Sequence, residues 1–231
     1  LAVVPARGGS KGILGKNLRI VGGESLIARA ARTTRALKWI DRSVISTDDP
    51  ATARHALTVG LDVPFIRPPE LADDTARSVD MWRHAWLACE AQDFCRYDVS
   101  VLLEPTSPLR RPEDIEATIT KMFKEGARAA ATVSRTPAHF TPHKTLVVDD
   151  SERIGFFIED GARFARRQDI PSYYHRNGLC YAAMRSTVVE EGSIIENDCV
   201  AVITERPVVN IDEPVDLLMA ELLAREQEGQ N

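Results

Sequence analysis

The sequence predicts an α/β protein with a mostly parallel sheet covered by helices on both faces. Short apolar runs alternate with segments whose apolar residues recur at helical spacing, and the links between them are short, the pattern of strand–helix units. At 231 residues, with 44% hydrophobic and 27% charged side chains, the chain suits one sizeable soluble domain with a small appendage.

The elements follow in order. LAVVP, residues 1–5, is a buried strand ahead of a glycine loop over 6–17. Residues 24–39 form a helix with Leu26, Ile27, Ala30, Ala31 and Leu37 on one face. SVISTDD is a second strand ending in Thr47, Asp48 and Asp49, and Pro50 takes the first-turn place of a helix over 50–59. Residues 63–66 make a short strand, and RPPELADDT is a proline-rich loop ending in a capping Asp or Thr. The helix over 76–94 gathers Val79, Trp82, Trp86 and Cys89 on one side. VSVLLE, 99–104, is a buried strand, followed by the irregular loop PTSPLRRP. A helix over 113–125 places Ile115, Ile119, Met122 and Phe123 inward, Glu113 and Asp114 in its first turn, and Gly126 at its stop.

Residues 137–178 break the rhythm. LVVDD-SERIGFF reads as a hairpin and RFARRQDIPSYYHRNG as an excursion, an arm reaching another subunit. Strand patterning resumes at 179–184 and 199–203. PVVNIDEPVDLLMAELLA supplies a last strand, a turn and a helix that buries Val215, Leu218, Leu222 and Leu223. The core is therefore 1–136 plus 179–231, and the arm is 137–178.

In such sheets the ligand crevice lies beyond the carboxyl ends of the strands. The loops 6–17, 47–50, 67–75 and 104–111 all follow strands and are expected to meet at one edge. The first of them, ARGGSKGILGKN, is not a Walker loop: with Gly15-Lys16 as its close, the opening glycine would stand at Ser10, and Asn17 replaces the hydroxyl residue. Nor is it a G-x-G-x-x-G turn. Gly8, Gly9 and Gly12 permit backbone N–H groups to point inward around an anion, and Arg7, Lys11 and Lys16 add charge. The alternative is a flexible surface turn with solvated lysines. The net charge of -5 argues against a nucleic-acid partner, yet residues 1–23 hold four cations and no acid, a basic mouth suited to a small anion. The four cysteines form no C-x-x-C pair and read as reduced thiols, and with no signal peptide or membrane-length apolar run the expected location is the cytoplasm. His139 and His143 lack a third ligand for zinc, and Ser107 has no adjoining His to activate it.

PARGGSKGILGKN, IRPPELADDTARS, LLEPTSPLR, RRQDIPSYYHRNGLCY and NIDEPVDL stand in an order and spacing that resembles the CMP-sialic acid synthetases (acylneuraminate cytidylyltransferases), including relatives acting on other nonulosonic acids. The resemblance covers essentially the whole chain. It implies a Rossmann-like nucleotidyltransferase fold, a homodimer formed through the inserted arm, and transfer of CMP from CTP to a sugar acid with Mg²⁺ and release of pyrophosphate. By motif, Arg7 and Lys16 resemble the catalytic phosphate-binding pair, with Gly8, Ser10, Lys11 and Gly12 lining the same turn and Asn17 touching ribose or base. Arg67, Ala76 and Ser78 resemble the frame around cytosine, whose O2 and N3 accept from Arg67; Arg67 packed on Pro68 and Pro69 as a loop cation is the other reading. Asp212 resembles a magnesium ligand, with a helix cap as the alternative. Arg167 and Gln168 resemble the pair that meets the acceptor's carboxylate and hydroxyls, with Arg176, Asn177 and Tyr181 nearby; pairing of the arginines with acids across a dimer interface is the lesser alternative.

Three places in the chain depart from the pattern. Asn210 stands where the family commonly has Asp, Glu104 where it often has Gln, and Val200-Ala201 where two phenylalanines hold an acyl group. The last two point to an acceptor other than plain N-acetylneuraminate, such as a legionaminic or pseudaminic acid. Glu104 either takes the proton of the attacking hydroxyl or bonds to a sugar hydroxyl or amine. Alternatives to the whole reading are a 3-deoxy-manno-octulosonate cytidylyltransferase and a catalytically silent CTP-binding dimer.

Overall fold

The computed structural model describes residues 1–164, 166–195 and 198–228. The chain runs β1 (Ala2–Pro5), a two-stranded ribbon of β2 (Ile20–Val21) and β3 (Glu24–Ser25), α1 (Leu26–Ala36), β4 (Ser43–Ser46), α2 (Pro50–Thr58), α3 (Ser78–Asp93), β5 (Val99–Leu102) and α4 (Pro112–Lys124). It continues as β6 (Ala129–Arg135), a hairpin of β7 (Leu146–Val148) and β8 (Ile154–Phe156), β9 (Tyr174–Met184), β10 (Cys199–Thr204) and α5 (Pro214–Glu228).

Six strands form one sheet in the order β10-β6-β9-β5-β1-β4. β1 pairs parallel with β4 and β5, β10 pairs parallel with β6, and β9 runs against both its neighbours. Alternate residues of each strand enter opposite cores. Ala2, Val4, Val101, Leu103, Ala130 and Ala182 pack with Ile27, Ala30 and Ala31 of α1 and Ile115 and Met122 of α4. Leu1, Val3, Leu102, Ala129 and Ala183 pack with Val79, Trp82 and Trp86 of α3. Burial on both faces is why the strands read as unbroken apolar runs rather than alternating ones.

The predicted elements form, with informative exceptions. β6, AAATVSR, was not anticipated, because alanine has low strand propensity and this strand rests on pairing with β9 and β10. β9 starts at Tyr174, so residues 174–178, counted with the arm, lie in the central sheet. The arm passes through residue 165, and the second core segment through 196–197 and 229–231, which lie outside the described residues. Residues 63–66 form no strand: a single bridge joins Asp62 to Val44, and Pro64 has no N–H to extend it. Residues 207–210 likewise form no ladder, and Ile211 N–H reaches Thr106 O at 2.8 Å instead.

The inward face of α5 also differs from expectation. Ala220 and Ala224 are buried, with Leu217 and Leu223 against them, whereas Val215, Leu218 and Leu222 are exposed. α5 is apolar on most sides, so spacing could not select its inner face. Phe123 of α4 is exposed as well. The β7–β8 hairpin stands off the sheet with Leu146, Val147, Val148, Ile154 and Phe156 exposed. Among the described residues no helix is long and apolar enough to cross a membrane.

Candidate active site

β1 ends at Pro5 on the carboxyl edge of the sheet, and the glycine loop turns back beneath it. Asn17 is buried and donates to Arg7 O at 3.1 Å, tying the end of the loop to its beginning. Gly12 passes so near the segment before α5 that a Cβ would lie 2.6 Å from Asp212 O, which explains glycine there. The expected nest is partly occupied by the protein itself, since Gly8 N–H donates to Asp48 Oδ1 at 2.9 Å.

The four loops do meet. A cleft of about 460 Å³ is lined by Arg7, Ser10, Lys11, Gly12, Lys16 and Asn17 from the first, Arg67, Asp73, Asp74 and Ala76 from the third, Ser78 at the start of α3, Thr106, and Asp212. The second loop enters through Asp48 behind Gly8.

The cations in this cleft hold carboxylates that solvent also reaches. Arg7 donates to Asp73 O at 3.0 Å and pairs with Asp74 at 3.0 Å, and Lys11 pairs with the other oxygen of Asp74. These contacts, the one to Lys11 foremost, hold the Asp74 carboxyl below the usual range. Lys16 donates to Ile211 O at 2.9 Å and to Asp212 Oδ1 at 3.0 Å. Asp212 is not the cap of α5: its N–H and that of Glu213 both donate to Asp216 Oδ2, at 2.9 and 2.8 Å. That leaves the Asp212 carboxylate on Lys16, facing the cleft. Exposed pairs of this kind contribute little to stability and exchange readily for other anions.

Arg67 is buried, with Nε on Ser46 Oγ at 3.0 Å and Nη2 on Ser46 O. Burial pushes its pKa down to about 10 against the pull of Asp48, so it remains a cation at neutral pH. Asp73 caps the approach to α3 through Thr75 and Ala76 N–H, both at 2.8 Å, which places Ala76 and Ser78 on the rim.

Glu104 sits beyond β5 on the other side of Thr106. Burial pushes its pKa up, and Arg110 and Arg176 oppose that shift. Asn210 Nδ2 donates to its Oε2 at 3.4 Å, while Asn210 Oδ1 is buried without a partner among the described residues. Behind Glu104, Gly178 has φ +70°, and a Cβ there would collide with Glu104 Oε2 and lie 2.5 Å from Ser107 Oγ. Tyr181 is buried in β9, and its hydroxyl is pushed up by burial first and by Glu104 second.

The remaining acceptor candidates are placed differently. Arg176 is exposed on β9. Asn177 is buried and its amide is committed, donating to Ser134 Oγ at 3.0 Å and Thr204 Oγ1 at 3.2 Å and accepting from Leu179 N. Arg167 and Gln168 lie exposed on a short turn, and Arg167 lines another cavity with Arg135, Tyr173 and Glu205. Neither is among the described residues lining the cationic cleft. Val200 and Ala201 lie near the start of β10, where Val200 packs on the core and Ala201 O accepts from Lys121. Neither is among the described residues lining the cleft. Sequence reasoning missed Asp74 as a partner of the cations, because a second Asp in a loop looks like a cap. It also missed Arg110, which no spacing distinguishes from its neighbour Arg111.

Strand-end loops that gather three cations and a buried arginine around a cleft are characteristic of an α/β nucleotide-binding protein. Residues 1–197 match the family model described as cytidylyltransferase, and the chain belongs to that family. It is 28% identical to the CMP-N,N'-diacetyllegionaminic acid synthase of Legionella pneumophila, over 96% of this chain and 95% of that one. It is 27% identical to a pseudaminic acid cytidylyltransferase of Campylobacter jejuni, with the same coverage of 96% and 95%. The fold matches the structure of a CMP:2-keto-3-deoxy-manno-octonic acid synthetase complexed with CTP at a TM-score of 0.69, 19% identity and 98% coverage of each chain.

Proposed function

We propose that this protein transfers CMP from CTP to the anomeric oxygen of a nonulosonic acid and releases pyrophosphate. The observation that carries this reading is the convergence of Arg7, Lys11, Lys16 and Arg67 in one cleft, with a half-buried Glu104 beside it. CTP would lay its phosphates along Arg7, Lys11 and Lys16, displacing Asp74 and Asp212, and its cytosine against Arg67, Ala76 and Ser78. The acceptor hydroxyl oxygen bonds to the α-phosphorus as the bond from that phosphorus to the bridging oxygen breaks, and the lysines and Arg7 neutralise the charge gathering on the oxygens. Glu104 takes the hydroxyl proton: burial raises its pKa toward the working pH, which makes it a better base than an ordinary carboxylate.

Mg²⁺ fits the residues. It needs one or two carboxylates when phosphates and water complete the shell. Asp212 offers a carboxylate in the cleft, and Asn210 Oδ1 is a buried acceptor without a partner among the described residues. When bound, the ion would neutralise phosphate charge. The acceptor is read as a legionaminic- or pseudaminic-type acid, supported by Glu104 and by the names of the two relatives above. We further propose a homodimer formed through the exposed apolar β7–β8 hairpin, and a reducing compartment such as the cytoplasm, which suits four free cysteines.

Pyrophosphate release from CTP with a panel of sugar acids tests the activity, and CTP binding without release from any acceptor overturns it. Glu104→Gln is expected to lower turnover about 100-fold at saturating acceptor, and undiminished turnover removes the base role. Sedimentation of the wild type against Phe156→Asp tests the dimer.

A further inference from the structure

Ser46 closes β4 and is fully buried. Its hydroxyl and its carbonyl together hold one edge of the Arg67 guanidinium. Nε donates to Ser46 Oγ at 3.0 Å, and Nη2 donates to Ser46 O. The same carbonyl accepts from Ala6 N–H at 2.9 Å, the rung that follows the pairing of Pro5 with Ser46, one residue before Arg7. The main chain of Arg67 is fixed to β4 as well, since its N–H donates to Thr47 O at 2.8 Å. The end of β4 therefore sets the place of Arg67 and, through β1, that of the cation Arg7.

A guanidinium is a rigid planar fork of N–H donors. With the Nε–Nη2 edge taken by Ser46, the edge left over is the parallel pair of N–H bonds on Nη1 and Nη2. Nη1 makes no hydrogen bond among the described residues, and Arg67 lines the cleft. Two parallel donors match two adjacent acceptors. Cytosine presents such a pair in O2 and N3, whereas uracil sets an N3–H donor beside its O2, and that donor would meet a donor of the fork.

We propose that Ser46 is a positioning residue for nucleotide selection: it turns the outer edge of Arg67 toward the base and so separates CTP from UTP. This rests on the reading of Arg67 as the cytosine contact. The hydroxyl carries the role, not the volume of the side chain. Without Oγ, Nε loses its acceptor in a buried place and the fork is free to turn, while its charge stays in the cleft. Base discrimination then falls and phosphate binding does not.

The test compares Ser46→Ala, Ser46→Cys and Ser46→Thr with wild type and with Arg67→Lys, all in the full chain. Calorimetry reads the affinities for CTP, UTP and inorganic triphosphate, and thermal melting checks that each variant is folded. For Ser46→Ala we expect CTP affinity lowered about tenfold, with UTP and triphosphate within about threefold of wild type, so that the CTP:UTP ratio falls. Ser46→Thr keeps the hydroxyl and should hold the ratio within about threefold of wild type. Should Ser46→Ala not fold, Ser46→Cys takes its place, because sulfur is a weak acceptor of similar size. A ratio unchanged in the folded variant that lacks the hydroxyl overturns the inference. So does triphosphate affinity lost in step with CTP affinity, the mark of a merely structural role. Arg67→Lys keeps two failures apart. If it lowers the ratio and Ser46→Ala does not, the role of Ser46 alone falls; if it leaves the ratio unmoved, the cytosine reading of Arg67 falls and the inference with it.

Discussion

The two sides of the cleft are built on opposite principles. On the side proposed for the phosphates, Arg7 and Lys11 hold Asp74, which is 45% exposed, and Lys16 holds Asp212, which is 75% exposed. On the side proposed for the acceptor, Glu104, Gly178 and Arg110 are packed so closely that a single methyl group at Gly178 has no room. The first side is electrostatic and exchangeable: cations kept in place by acids that a stronger anion can replace at little cost. The second is steric and preset, with a carboxylate whose charge state is decided by what surrounds it. A transfer enzyme benefits from both, since CTP must enter and pyrophosphate must leave, while the attacking group has to be aligned beforehand.

The largest expected effect lies on the phosphate side. Lys16→Ala should lower kcat/KM about 100- to 1,000-fold in the pyrophosphate assay, with thermal stability unchanged, because Lys16 contributes to charge stabilisation and not to the core. A loss of only a few fold would mean that the triphosphate lies elsewhere and that the contrast between the sides is misdrawn. Next comes Gly178→Ala. Its positive φ and the collision with Glu104 and Ser107 should cost about 1–3 kcal/mol, seen as a melting point several degrees lower and a raised KM for the acceptor. CTP affinity should hold, and an equal loss for both substrates would merge the two sides into one unit.

A smaller effect separates activity from stability at Glu104. Its folded pKa is raised, so the folded state binds a proton more readily than the unfolded chain. Its contribution to stability is therefore full at low pH and is lost as pH rises through the folded pKa. Glu104→Gln should accordingly melt somewhat higher than wild type at neutral pH, and the difference should vanish below the ordinary carboxylate range. A melting point lowered at neutral pH would show that the anion is well compensated. The smallest effect belongs to Asp74→Asn. Freed of a competing carboxylate, Arg7 and Lys11 should bind inorganic triphosphate about two- to fivefold more tightly at low salt. Weaker binding would mean that Asp74 organises the cations rather than occupying them.

Much of the phosphate side was legible in the sequence, because its residues lie close together in one loop. Arg7, Lys11, Gly12 and Lys16 line the cleft, as their spacing suggested, and so do Ser10 and Asn17, which were located by resemblance. Arg67, Ala76 and Ser78 were located by resemblance and stand on the same rim. The acceptor side was legible in part. Glu104 was singled out, but its environment is assembled from segments some 70 to 100 residues away, Gly178 and Asn210, with Arg110 of its own loop bonding to the carbonyls of both Glu104 and Gly178. β6 escaped notice for a related reason, since a run of alanines becomes a strand only when β9 and β10 lie on either side. Arg167 and Gln168, expected beside the acceptor, lie on a turn and are not among the described residues lining the cleft.

By itself the sequence determined the alternation of strands and helices, the two-sided burial of the sheet and the cationic loop, all of which follow from the period of apolar residues and from charges adjacent in the chain. Tertiary structure alone decided that β9 runs against its neighbours, that α5 turns Ala220 and Ala224 inward, and that Arg110 rather than Arg111 is buried on the Glu104 carbonyl. The physical reason is that pairing direction, the choice of a helix face and the desolvation of a charge depend on distant segments, and local spacing carries no record of them.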